Sequence, residues 1–201
     1  MAIIGVVPAA GQGARFAAAA PGAPSKLLTL IEGEPMVRRT VNSLLEGGAD
    51  RCVVVVSTGS DAAVRSALSG LQATVAVNPD PERGMFSSIQ CGVAGVGEGD
   101  RCVLLPGDMP FVRPETVAAV LAAAIRSGLT VSASHAGRRG HPIVLSTSLI
   151  ARILQAPATA ILSEERSREP FLTIDVPDPG VHRDVDRPED LTAPFPGGER
   201  A

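Results

Sequence analysis

Short apolar runs recur along the chain, each followed by a glycine-rich or polar break and then a stretch of helical periodicity. The first run, residues 3–7 (Ile-Ile-Gly-Val-Val), has the length of a buried strand. Residues 52–56, 73–77, 102–105, 130–134, 141–145 and 171–176 predict further strands, and residues 52–56 are apolar on both faces, as in a buried parallel sheet. Between them, Val37, Val41, Leu44 and Leu45 form an apolar stripe. It predicts a helix with Pro35 in its first turn, running to about Glu46 and ended by Gly47 and Gly48. Ser60 is the expected N-cap of a helix to about Leu68. Other helices are expected at residues 85–93, 114–126 and 146–167, the last interrupted near Pro157, and from Pro188 onward. Residues 17–25, rich in Ala and Pro, read as a loop, residues 136–140 as a basic turn, and residues 181–186 as a last extended piece.

Strands alternating with helices require crossover connections. The expected fold class is therefore α/β: three layers, with a mainly parallel, Rossmann-like sheet and helices on both faces. No internal repeat or linker divides the chain, so a single domain is expected over residues 1–193, with residues 194–201 as a frayed tail.

Composition narrows the function more than the fold. Hydrophobic residues at 45% and charged residues at 19% suit a globular core. Aromatics at 2%, with no Trp or Tyr, argue against base stacking, and a net charge of −3 supplies no basic field for nucleic acid or an anionic membrane. An anionic ligand must then be held by local groups. Cys52, Cys91 and Cys102 lack metal or redox spacing, and the first and last open apolar runs, so inert thiols are expected. No leader segment and no apolar run of membrane-spanning length are apparent, and a cytoplasmic location is expected.

In a parallel sheet, ligands bind beyond the carboxyl ends of the strands. That rule selects three loops. The first is Ala9-Ala10-Gly11-Gln12-Gly13 with Arg15, a small-residue turn whose N–H groups and guanidinium suit phosphate oxygens. It is neither a Walker loop nor a dinucleotide fingerprint, since residue 16 is Phe. The second runs from Asn78 through Gly84 and Met85 to Ser87 and Ser88, which either present hydroxyls and N–H groups to an anion or cap the helix there. The third ends at Asp108, which either holds Mg²⁺ or caps the helix from Pro114. Asp184 and Asp186 flank Val185, and Asp184 is the first choice as second metal ligand because Asp186 precedes a Pro-Glu helix start. Lys26 neutralises a phosphate or is simply exposed, His141 contacts substrate or packs, and Arg138 with Arg139 makes a small positive site or a solvated one. No protein nucleophile stands out, which suits phosphate chemistry.

Five stretches in order resemble the MobA-like NTP transferase family, and within it the molybdenum cofactor cytidylyltransferase branch. They are Pro8 to Phe16 with Lys26, Asn78 to Ile89, Leu105 to Pro110, Gly140 to Leu145, and Asp184 to Leu191. The resemblance implies a fold of the nucleotide-diphospho-sugar transferase type and a Mg²⁺-dependent nucleotidyltransferase, in which the phosphate of molybdopterin attacks the α-phosphorus of a nucleoside triphosphate and pyrophosphate leaves. It implies triphosphate contacts from Ala9, Ala10, Gly11, Gln12, Gly13, Arg15 and Lys26, with Asn78, Gly84 and Ser88 beside the nucleotide. Catalytic roles fall to Arg15, Lys26 and Asp108, metal contacts to Asp108, Asp184 and Asp186, and the acceptor side to Met85, Ser87 and His141. Ala10, where guanylyl-transferring relatives carry Gly, favours CTP, and a molybdoenzyme client is an expected partner. Here the lysine follows Arg15 by 11 residues rather than about five, and Phe16-Ala17 replaces the usual Met-Gly. A GTP-using enzyme, a transferase for a sugar phosphate or other phosphorylated alcohol, and a non-catalytic nucleotide- or cofactor-binding domain are the alternatives.

Overall fold

The computed structural model describes residues 1–11, 13–19, 25–157 and 159–192. The strands are β1 (Ile3–Pro8), β2 (Leu30–Ile31), β3 (Glu34–Pro35), β4 (Arg51–Ser57), β5 (Ala73–Asn78), β6 (Arg101–Leu104), β7 (Thr130–His135), β8 (Arg138–Leu145) and β9 (Phe171–Asp175). The helices are α1 (Ala14–Ala19), α2 (Met36–Glu46), α3 (Asp61–Ala67), α4 (Met85–Val93), α5 (Pro114–Ser127), α6 (Thr147–Gln155) and α7 (Leu162–Ser167). Seven strands form one sheet in the order β5-β4-β1-β6-β8-β7-β9, and β2 and β3 form a separate hairpin. Within the large sheet only β8 is reversed: it runs antiparallel to both β6 and β7, while the other pairings are parallel.

Alternation along each strand sends side chains to two separate cores. On one face Val7, Val54, Val56 and Val103 meet Val41 and Leu44 of α2, Val64 of α3 and Val120 of α5. On the other, Ile4, Val6, Val55 and Leu104 meet Phe86 and Ile89 of α4 and Leu149 and Ile153 of α6. This gives the three layers expected, and each fully buried Val, Leu or Ile contributes about 1.5–3 kcal/mol. A third, small cluster of Phe16, Ile31, Met36 and Val185 ties α1 and the hairpin to the closing segment. Cys52 and Cys102 are fully buried and their thiols are pushed up to about 12 by desolvation, as expected of inert core cysteines.

Several local expectations change. Residues 17–19 continue α1 rather than forming a loop, and residues 20–24 lie outside those described, as does the whole of the expected tail, residues 194–201. Pro35 is the N-cap of α2, one position before the first turn. The Ser60 hydroxyl bonds back to Ser57 and makes no cap bond. Arg138, Arg139 and Gly140 belong to β8, so the basic turn shrinks to Ala136 and Gly137. Residues 183–186 pair with no strand, and a 3₁₀ turn (Pro179–His182) precedes them because Asp178 accepts from the Gly180 N–H at 2.9 Å. From Pro188 the chain makes a 3₁₀ turn (Pro188–Leu191) in place of an α-helix. Gly140 lies so close to this segment that a Cβ there would stand 2.1 Å from the Val181 carbonyl oxygen. Among the described residues no helix is long and apolar enough to cross a membrane.

Candidate active site

The carboxyl ends of β1 and β6 adjoin in the sheet, so the loops that follow them are neighbours. The Gly107 N–H donates to Pro8 O at 3.0 Å, and the Thr40 hydroxyl donates to Gly107 O at 3.3 Å. Asp108 is thereby fixed beside the glycine loop, where Gly13 takes the left-handed φ of +58° at the entrance to α1. The closing segment reaches the same place: the Val185 N–H donates to Asp108 O at 2.9 Å while its side chain is buried among Phe16 and Met36. That anchor leaves Asp186 directed at the loop.

Four charged side chains meet there. Lys26 Nζ lies 2.9 Å from Asp108 Oδ2 and 3.0 Å from Asp186 Oδ1, and Arg15 lies 2.6 Å from Asp186 Oδ2. Lys26 is nearly buried, with 10% of its side chain exposed. Burial lowers the pKa of its ammonium, but the charges and hydrogen bonds of Asp108 and Asp186 outweigh that and hold it above the ordinary lysine value. Asp186 is held below the ordinary carboxylate range, first by the Lys26 hydrogen bond and then by Arg15, against a smaller effect of burial. The four groups border a cleft of about 540 Å³ whose walls include Ala9, Ala10, Gly11, Gly13 and Ser88. Gln12 lies outside the described residues.

The helix-cap alternatives for both aspartates fall away. Asp178, buried, receives the Arg113 N–H at 2.9 Å and the Thr116 hydroxyl at 2.6 Å at the start of α5, so Asp108 has no capping task. Asp190 receives the N–H groups of Asp186 and Arg187 at 2.8 and 2.7 Å, which frees the Asp186 carboxylate. The order of preference between Asp184 and Asp186 is reversed: Asp184 is exposed and lines neither cleft. The reason is that the segment is not a strand, so the two carboxylates do not share a face.

Asn78 and Ser87 also lie outside both clefts. Asn78 is 3% exposed; its amide donates to Ser87 Oγ at 2.9 Å and Ser88 Oγ at 3.0 Å, and its carbonyl accepts from the Asp80 N–H. The Ser87 hydroxyl closes on Gly84 O at 2.8 Å. Together they fix the entrance to α4, which brings Gly84 and Met85 to the boundary of a second cleft. That cleft, about 690 Å³, shares Pro8 and Pro106 with the first and extends to His141, Arg139 and Arg166. The His141 ring is pushed down to about 4, first by burial and also by the charge of Arg166, although Asp108 and a bond to the Leu104 backbone act the other way. Its Nδ1 is buried without a hydrogen-bond partner. Arg166 was missed in the sequence because Glu164-Glu165-Arg166-Ser167-Arg168 looks like a solvated helix face.

Asp108 and Asp186 share one ammonium, so they are close enough to share one divalent cation. Two such hard oxygen donors fit Mg²⁺ or Mn²⁺, with waters and phosphate oxygens filling the other positions. No group of three or more His, Cys, Asp or Glu among the described residues is arranged for a metal.

Known proteins with this architecture have related names. A nucleotidyl transferase from Methanothermobacter thermautotroptrophicus superposes with a TM-score of 0.79 at 22% identity, covering 95% of this chain and 94% of that one. Rv0371c from Mycobacterium tuberculosis H37Rv, in complex with manganese, superposes at 0.73 with 23% identity, covering 96% and 97%. In sequence, a probable molybdenum cofactor guanylyltransferase from Natronomonas pharaonis is 34% identical over 111 residues, 55% of this chain and 52% of that protein. The molybdenum cofactor cytidylyltransferase of Escherichia coli is 24% identical over 118 residues, 59% and 60% respectively. The bifunctional protein GlmU of Bordetella parapertussis is 33% identical over 122 residues, 59% of this chain and 26% of that one. The aligned region thus spans between a quarter and three fifths of these relatives. The MobA-like NTP transferase domain profile matches residues 5–171, which takes in the glycine loop, Lys26, Asp108 and both clefts' shared walls, and the chain belongs to that family.

Proposed function

We propose that the chain is a nucleotidyltransferase that moves a nucleoside monophosphate, CMP by preference, from a nucleoside triphosphate to the phosphate of a molybdopterin-type acceptor. The observation that carries this reading is the convergence of Lys26, Arg15, Asp108 and Asp186 on the glycine loop, with a second cleft opening beside it. The loop N–H groups and Arg15 bind the triphosphate. Asp108 and Asp186 would hold a divalent cation, which supplies charge neutralisation at the phosphate oxygens. Lys26, protonated throughout the physiological range, places a fixed positive charge where negative charge grows on the α-phosphoryl group. An oxygen of the acceptor phosphate attacks the α-phosphorus, the bond to the β-phosphate oxygen breaks, and pyrophosphate leaves. The nucleophile belongs to the acceptor, which accounts for a site without a reactive Ser or Cys.

The competing acceptor is a sugar phosphate, favoured by the identity to GlmU. What favours the pterin-type acceptor is the apolar share of the second cleft, where Phe86, Ile89, Leu104, Ile143, Ile161 and Leu162 suit a flat ring, beside the polar groups of Arg139, His141, Ser163 and Arg166. Pyrophosphate release with CTP, GTP, ATP and UTP in turn, with Mg²⁺ and with or without molybdopterin, tests the proposal. Release with CTP and molybdopterin together is expected. Release with GTP alone among the nucleotides overturns the base, and release with N-acetylglucosamine 1-phosphate but not molybdopterin overturns the acceptor.

A further inference from the structure

The second cleft holds charges that no carboxylate among the described residues balances. Alternation along β8 puts Arg139, His141 and Ile143 on the same face of the sheet. Phe171, at the start of β9, receives two guanidinium groups: that of Arg139 at 5.4 Å and that of Arg166 at 4.9 Å from the ring centroid. Neither arginine has a carboxylate partner among the described residues. Of the acids flanking Arg166, Glu165 pairs with Arg168 at 2.8 Å and Arg152 at 3.6 Å, Glu169 pairs with Arg152 at 3.1 Å, and Glu164 is exposed and pairs with neither Arg139 nor Arg166. The Nε of Arg166 and the Nδ1 of His141 are buried and unpartnered, and both residues line the same cleft.

Leaving buried donors unpaired is costly, as is holding like charges over one ring. Burial lowers the pKa of the Arg166 guanidinium, and the repulsion from Arg139 lowers it further. The quadrupole of Phe171 offsets only part of this. An anion between the guanidinium groups would offset the rest, and the apolar walls would strengthen the attraction.

The location separates this feature from the chemical centre. Phe171 is on β9, three strands across the sheet from β6, which leads to Asp108. At ordinary strand spacing that is roughly 14 Å. The cleft runs continuously between them, from Pro106 to Arg166.

We propose that Arg139 and Arg166, both set against the Phe171 ring, form a seat for a second anionic group of the acceptor, remote from the phosphate that reacts. The inference rests on the nucleotidyltransferase reading for the word acceptor, and on the charge arrangement alone for the seat. The ligand it selects has a flat or apolar body carrying a second anionic group, such as a dithiolate or an oxyanion, at the end away from the glycine loop. Arg166, not Lys, suits this because its planar fork can bind an oxyanion through two N–H groups while its face stays on the ring.

The test uses the whole chain and two probes, 1-naphthyl phosphate and neutral 1-naphthol, titrated calorimetrically. Arg139→Gln and Arg166→Gln are each expected to weaken 1-naphthyl phosphate about tenfold and to leave 1-naphthol unchanged. Arg166→Lys is expected to fall between, and melting curves of all three variants should match the wild type. Unchanged affinity for 1-naphthyl phosphate in both Gln variants overturns the seat, as does an equal loss for both probes. With turnover, the same Gln variants should raise the KM for molybdopterin about tenfold at unchanged kcat and unchanged KM for CTP. Wild-type turnover with variants that leave the molybdopterin KM unmoved also overturns the seat, while the transferase reading stands. If the wild type releases no pyrophosphate with any nucleotide and molybdopterin, the transferase reading falls, and the naphthyl phosphate titration decides the seat by itself.

Discussion

The two clefts share a wall and differ in how their charge is balanced. In the first, two cations and two carboxylates neutralise one another: Lys26 bridges Asp108 and Asp186, and Arg15 closes on Asp186. In the second, Arg139 and Arg166 face one ring, and among the described residues they have no carboxylate and two buried nitrogens have no partner. A self-neutralised cluster can exchange its internal pairs for a metal–triphosphate complex with little change in net charge. An unbalanced one is incomplete until a ligand brings the opposite sign. Under the proposed function, the first cleft suits a step in which charge moves, and the second suits recognition of charge that stays put.

Four experiments would break or sharpen that contrast. The largest effect is expected from Asp108→Asn, which removes one charge from the neutralised cluster. Turnover should fall on the order of 10³-fold with nucleotide binding by calorimetry changed only a few-fold. Equal losses of turnover and nucleotide affinity would make Asp108 a binding group only. Next comes His141, whose ring resists protonation in the folded chain down to about pH 4 but not in the unfolded chain. Below pH 6.5 the unfolded state takes up a proton that the folded state refuses, so stability falls as pH drops from 6.5 to 4. The loss is about 3 kcal/mol, read from denaturation curves, and His141→Gln should flatten that window. A wild-type profile as flat as the variant's would place the ring in water.

Smaller is the effect of Lys26→Met, which leaves two carboxylates facing each other. A stability loss of about 1–2 kcal/mol is expected without divalent ions, recovered on adding Mn²⁺. Failure of Mn²⁺ to restore the melting temperature would separate the aspartates from metal binding. Smallest is Arg15→Ala. Its side chain is 75% exposed, so the ion pair contributes little to stability and the melting temperature should not move. The KM for the nucleotide should still rise about tenfold.

The contrast also marks what a reader of the sequence can recover. The first cleft lies in loops that directly follow strands, and strand ends are legible from apolar runs, so it is legible from pattern alone that Gly11, Gly13, Arg15 and Asp108 share one edge. Lys26 was found but not its neighbours, because two carboxylates more than eighty residues away decide its state. The choice between Asp184 and Asp186 went the other way because Val185 is buried from a segment without strand partners, where alternation has no meaning. Asn78 and Ser87 are polar residues at a strand end that turn out to hold each other. The second cleft was nearly silent: Arg139 lies in a strand that read as a turn, and Arg166 in a helix face with the composition of a solvated one. Their meeting at Phe171 depends on the order β8-β7-β9, which no local pattern encodes.

One glycine divides the labour of β8. Arg139, His141 and Ile143 line the second cleft together with the Gly140 backbone, whereas a side chain on Gly140 would meet the Val181 carbonyl, with no space for even a methyl group. Residues 179–182 in turn lead to Asp186. A lineage changing its acceptor can therefore rewrite Arg139, His141 and Ile143 one at a time, since none of them touches that contact. A change at Gly140 would instead shift the segment that brings Asp186 to the first cleft. The strand is a keyboard on one side and a hinge pin on the other, and drift in acceptor preference is free to run along the first only while the second is left alone.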